Sequence, residues 1–141
     1  YRTTERTLHL TKKIILFLRY NIFTLFFFSL IIIGCFTPGG NLPKVGVENL
    51  DKFLHGALFF LFSFSAIIGF TKQNQFPKLH FDAVKHVVEI SSLLAIITEV
   101  IQHFFIPNRS FDIFDILSDF VGIILAFVFF FYVRGDKKCG F

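Results

Sequence analysis

The chain has 141 residues, of which 54% are hydrophobic and 17% charged, with a formal net charge of +4 and a mean hydropathy of +0.67. A soluble domain of this length hides one apolar core beneath a polar shell, and here there is too little polar material for that shell. Composition therefore argues against an ordinary soluble domain and for an integral membrane protein.

The first 19 residues form a basic arm carrying Arg2, Arg6, Lys12, Lys13 and Arg19. Within it, residues 7–18 alternate basic and apolar positions. The stretch either lies along the membrane interface or simply extends the first helix. Four apolar runs follow, at about residues 20–36, 52–70, 83–105 and 111–133. Each has roughly the 17–25 residues that a membrane crossing needs. Between them stand breakers and turn formers: Pro38, Gly39, Gly40 and Pro43, then Lys72, Asn74 and Pro77, then Pro107 and Asn108. The expected architecture is all-α, an integral membrane four-helix bundle. An arm (1–19) precedes one membrane domain (20–133), and a tail (134–141) follows it.

Basic residues set orientation, because Lys and Arg accumulate on the cytoplasmic side. The arm's five, then Lys72, Lys78 and Lys85, then Arg134, Lys137 and Lys138 give eleven on one side, against Lys44, Lys52 and Arg109 on the other. Both termini are therefore expected in the cytoplasm, as an even number of spans requires. The net positive charge is read as a topology and anionic-lipid signal. No interleaving of aromatic and basic residues supports nucleic-acid binding. The run ending Ile32-Ile33-Gly34-Cys35 resembles a lipoprotein signal sequence, but an uncleaved first span is the expected reading. Cys35 and Cys139 then face opposite compartments, and neither has metal-ligand spacing.

Two polar islands interrupt the apolar runs. The first is Asp51-Lys52-x-x-His55, which places Asp51 and His55 one helical turn apart on one face. Asn49 or Asp51 can cap that helix, Lys52 can snorkel to the headgroups, and His55 can be a neutral core histidine. The second is Glu99-x-x-Gln102-His103, followed by Arg109, Asp112, Asp115 and Asp119. Glu89, Ser92 and Glu99 fall near one face of the third run, and that face should turn into the bundle. Glu89 has a simple explanation in Lys85, four residues earlier. Ser110 is the expected N-cap of the fourth helix, with Asp112 as a first-turn acid favoured by the helix dipole. Asp112, Asp115 and Asp119 form a stripe that descends into the bundle, and the deeper two need partners.

The outer side gathers six acids (Glu48, Asp51, Glu99, Asp112, Asp115 and Asp119) against Lys44, Lys52 and Arg109. Protonation of buried carboxyls or a bound cation must offset that excess. A divalent cation would draw its ligands from Asp51, His55, Glu99, His103 and Asp115. Without one, Lys52 and Arg109 would neutralise two acids and fix the bundle.

Taken together, Asp51-Lys52-x-x-His55, Glu99-x-x-Gln102, Pro107-x-Arg109 and Asp115-x-x-x-Asp119-x-x-Gly122 look like the VanZ-like family of small membrane proteins, over residues 20–133. That family commonly has Asn where this chain has Asp119. The acidic stripe alone is similar to the motif of membrane prenyltransferases, which this chain resembles nowhere else. The family takes its name from a protein linked to teicoplanin resistance, so the resemblance implies a role in the bacterial cell envelope and in glycopeptide resistance, without supplying a reaction.

Two functions are expected to compete. In the first, the outward site binds an anionic envelope lipid headgroup or an envelope-active compound, and acts on it or merely holds it. Asp51, Lys52, Gln102, Arg109 and Asp119 would line the site, with Arg109 suited to phosphate. Glu99, Asp115 and His55 would supply acid/base groups. In the second, the polar network is structural and the chain is an accessory or scaffold subunit of a larger membrane complex. Ion conduction is a weaker third, because the acids cluster at one end.

Overall fold

In a computed structural model the described residues are 2–37, 50–74, 80–107 and 111–135. They form four helices: α1 (Arg2–Phe36), α2 (Leu50–Asn74), α3 (His80–Phe105) and α4 (Ile113–Gly135). No strand occurs among these residues. The apolar runs thus become helices at the expected places: α2 and α3 extend a few residues beyond their apolar parts, α1 takes in the arm from Arg2 onward as well, and α4 is shifted by two residues without being longer.

At about 1.5 Å per residue, the 35 residues of α1 extend about 52 Å, well beyond a hydrocarbon core of about 30 Å. The basic arm is the first half of this unbroken helix, so of the two readings of residues 7–18 the structure favours the extension. Its side chains from Glu5 to Arg19 are exposed or half-buried, and the first buried residue is Asn21. The helix ends at Phe36, where the Thr37 hydroxyl donates to the Ile33 carbonyl at 2.7 Å.

Three helices are long and apolar enough to cross a membrane: Glu5–Phe36 within α1, Leu50–Gln73 within α2 and Ile113–Arg134 within α4. The sequence reading expected four. α3 is not among the three, and it carries Lys85, Glu89 and Glu99 along with several hydroxyl residues. Because α2 and α4 both begin at the end where α3 finishes, it nonetheless runs the length of the bundle between them. Its buried polar face is Ser91, Thr98, Glu99 and Gln102, whereas Glu89 is exposed and lies 3.9 Å from Lys85 as expected. The inward polar face expected on α3 therefore exists, but Glu89 and Ser92 are not on it.

α2 is the centre of the molecule. It packs most extensively on α4, then on α1, and also on α3, while α1 and α4 do not meet. The α2–α4 contact is close because both helices are glycine there. A Cβ on Gly122 would collide with the Gly56 carbonyl oxygen, and one on Gly56 would lie 3.0 Å from Ser118 Oγ. Ser118 donates to the Lys52 carbonyl across the same seam. Small residues at four-residue spacing (Ser118, Gly122, Ala126) let membrane helices approach in this way.

Beyond that seam, away from the starts of α2 and α4, two apolar clusters follow one another. One joins Ile31, Phe59, Phe62, Ala95 and Ile123, and the other joins Ala66, Ile67, Val84, Val87 and Phe130. Ser63 donates to Ser91 at 3.0 Å inside the bundle. Outward-facing positions such as Val121, Ile124, Leu125 and Val128 are more than half exposed. That much apolar surface suits lipid rather than water.

Candidate functional site

The polar islands meet at one end of the bundle, where α2 begins, α3 finishes and α4 begins. Cys35, near the end of α1, reaches the same end and donates to the Thr98 carbonyl at 3.5 Å. Cys139 lies outside the described residues, as do Lys44, Glu48, Asn49, Arg109 and Ser110.

The start of α4 organises the site. Asp112, not Ser110, is the cap observed there. Its Oδ1 accepts the Phe114 N–H at 2.8 Å, and its carbonyl accepts the Asp115 N–H at 3.1 Å. This is N-cap geometry, with a side-chain oxygen satisfying an otherwise orphaned donor of the first turn. Two residues of α3 hold this start in place. Glu99 accepts the Asp112 N–H at 2.9 Å, and His103 Nδ1 accepts the Phe111 N–H at 3.2 Å. Both acceptors lie at the positive end of the α4 dipole, where an acceptor is favoured.

Lys52 from α2 closes the mouth. Its ammonium donates to Asp112 Oδ2 at 2.5 Å and Asp115 Oδ1 at 3.0 Å, and lies 5.8 Å from the centre of the Phe114 ring. It therefore bridges two acids rather than snorkelling to the headgroups. Deeper in, His55 Nδ1 faces Asp119 Oδ1 at 3.3 Å. The stripe descends as the spacing requires, with side-chain exposure falling from 35% at Asp112 to 8% at Asp115 and 1% at Asp119. Gln102 is buried beside Glu99 in sequence, on the inward face of α3.

Of the five expected metal ligands, the structure brings three together. Asp51, His55 and Asp115 offer ligand atoms within 4.8 Å of one another. Glu99 and His103 are engaged with the α4 backbone instead. The sequence reading passed over Asp112 as an ordinary first-turn acid and did not single out Ser118. The signal for both was present, in the i, i+3 spacing of Asp112 to Asp115 and in the Ser118-x-x-x-Gly122 small-residue pattern.

The Lys52 ammonium, followed by the Phe114 N–H, holds the Asp112 carboxyl below its ordinary value of 3.8. A carboxyl depressed in the folded state stabilises that state above its ordinary value and loses the contribution as pH falls through the lowered one. Acidification from about pH 4 downward is therefore expected to loosen the α4 start, and Asp112→Asn to flatten that part of the curve. Thermal unfolding in detergent across this range checks it, and an identical acid limb in both proteins refutes it.

Comparison with curated proteins returned no match, and comparison with solved structures returned none. A family model described as VanZ/LLP1 matches residues 2–134, a span that takes in α1 to α3, α4 as far as Arg134 and every polar group of the site, and the chain accordingly belongs to the VanZ/LLP1 family.

Proposed function

We propose that this chain is a bacterial inner-membrane protein, with both termini in the cytoplasm, that binds an anionic envelope lipid headgroup or a related envelope-active compound at the end where α2, α3 and α4 converge. A role in resistance to glycopeptide-type antibiotics would follow from holding such a compound. The observation that carries the reading is Lys52. It is a 30%-exposed ammonium at the mouth of a buried polar stripe, shared between two carboxylates, so it can turn toward a phosphate while keeping one of them. Arg109, in the adjoining connection, supplies a second cation suited to bidentate phosphate contact.

Native purification followed by mass spectrometry of retained lipids tests the proposal. A phosphate-bearing lipid should be recovered with the unaltered chain and reduced at least fivefold with Lys52→Ala or Arg109→Ala at equal membrane abundance. Equal recovery from all three ends the proposal. A second reading, a non-enzymatic subunit or scaffold in a larger membrane complex, is favoured by Glu99 and Ser118, which tie the three helices together through the backbone. In that case the same purification yields a stoichiometric partner chain and no enriched lipid.

A further inference from the structure

We infer that Asp51, His55 and Asp115 hold a divalent cation of the zinc class, with Asp119 bracing His55 from behind. Asp51 and His55 lie one turn apart on α2, Asp115 comes from the first turn of α4, and their ligand atoms lie within 4.8 Å of one another. Around a four-coordinate Zn2+ with bonds of about 2.0–2.2 Å, such atoms sit about 3.4 Å apart. Binding would therefore draw the set together by about 1 Å. One imidazole and two carboxylates are a zinc donor set, and three protein ligands leave a fourth position open.

Asp119 points to the ion independently. It is 1% exposed, and its Oδ1 accepts no hydrogen bond from the described residues. The atom facing that oxygen is His55 Nδ1, at 3.3 Å. A cation on Nε2 would fix the histidine's proton on Nδ1, and the closing of the ligands around it would have to turn the ring so that this proton lines up with Asp119 Oδ1. Carboxylate–histidine–metal pairings work in this way.

The charge balance agrees. Asp51, Glu99, Asp112, Asp115 and Asp119 share this end with Lys52 and the imidazoles of His55 and His103 among the described side chains, so carboxylates outnumber permanent cations there. Lys52 is the ion's competitor, because its ammonium occupies one oxygen of Asp115. Its contact with Asp112 gives it a place to remain when it yields. A phosphate oxygen filling the open position would join this site to the headgroup proposed above, and that clause alone rests on the earlier reading.

The test is Zn2+ titration of the full chain in detergent after stripping with a chelator, followed by calorimetry, with Mg2+ alone as the comparison. One Zn2+ per chain is expected, and Mg2+ should not displace it at equal concentration. His55→Gln and Asp115→Asn should each weaken binding at least tenfold, and Asp119→Asn about 10–100-fold. Lys52→Ala should tighten binding, a gain that misfolding cannot produce. Absence of saturable uptake overturns the site. So does uptake unchanged in His55→Gln and Asp115→Asn, which would assign the ion to other imidazoles such as His86 or His103, and so does weaker binding in Lys52→Ala. If Zn2+ binds as described and chelation leaves lipid recovery unchanged, the open position does not hold the headgroup and the ion site stands. If Zn2+ fails to bind while Lys52→Ala still loses the lipid, only the ion site is lost.

Discussion

Gly122→Ala is expected to destabilise the bundle more than alanine at Gly34, Gly56 or Gly69. The new Cβ would meet the Gly56 carbonyl oxygen and, at 3.0 Å, the Phe60 backbone nitrogen. Neither can swing aside as a side chain would, so α4 must back away from α2 along its most extensive interface. Overpacking of this kind costs typically 1–3 kcal/mol and occasionally more, and rigid backbone on one side puts Gly122 at the upper end. Gly56→Ala should cost less, because its Cβ meets Ser118 Oγ at 3.0 Å and the Ser118 carbonyl at 3.1 Å. Gly34→Ala has nothing within 4 Å and serves as the control, neutral or slightly stabilising through helix propensity. Thermal unfolding of the three proteins in one detergent should rank them in that order. Equal melting of Gly122→Ala and Gly34→Ala would show that the helices do not cross where the glycines are.

Glu99 has the second large expected effect, and its size depends on the replacement. Glu99→Ala leaves the Asp112 N–H without its acceptor and takes a carboxylate from the start of α4. An orphaned buried donor costs about 1–3 kcal/mol, so this variant should melt several degrees lower and lose lipid retention with its fold. Glu99→Gln keeps an acceptor oxygen at the same reach and should melt close to the unaltered chain. The glutamine variant is the informative one, since it separates charge from support. If it melts normally and loses bound lipid, the carboxylate serves the ligand and the scaffold reading fails. If it keeps both, Glu99 is a strut for α4 and the recognition lies with Lys52 and its neighbours.

The two variants probe different layers of the protein, and those layers were unequally visible beforehand. Four helices, their approximate limits and the breakers between them follow from the apolar runs and from Pro and Gly, because a helix that faces lipid must be apolar around most of its surface. The Asp112, Asp115 and Asp119 stripe was equally legible, since three- and four-residue spacings leave no other face available. The i, i+4 pairing of Lys85 with Glu89 was local in the same sense.

What the chain alone left undecided was every choice between partners on different helices. Lys52 bonds Asp112 and Asp115, 60 and 63 residues away, and Glu99 serves a backbone N–H rather than the cluster it was grouped with. Asn21, inside an apolar run, is 1% exposed and packs against Gly69, with its amide reaching Gln73 at 3.5 Å. Spacing along one helix fixes which residues share a face. Which face meets which neighbour is set by where two backbones can approach most closely, and Gly56 and Gly122 set that approach from positions 66 residues apart.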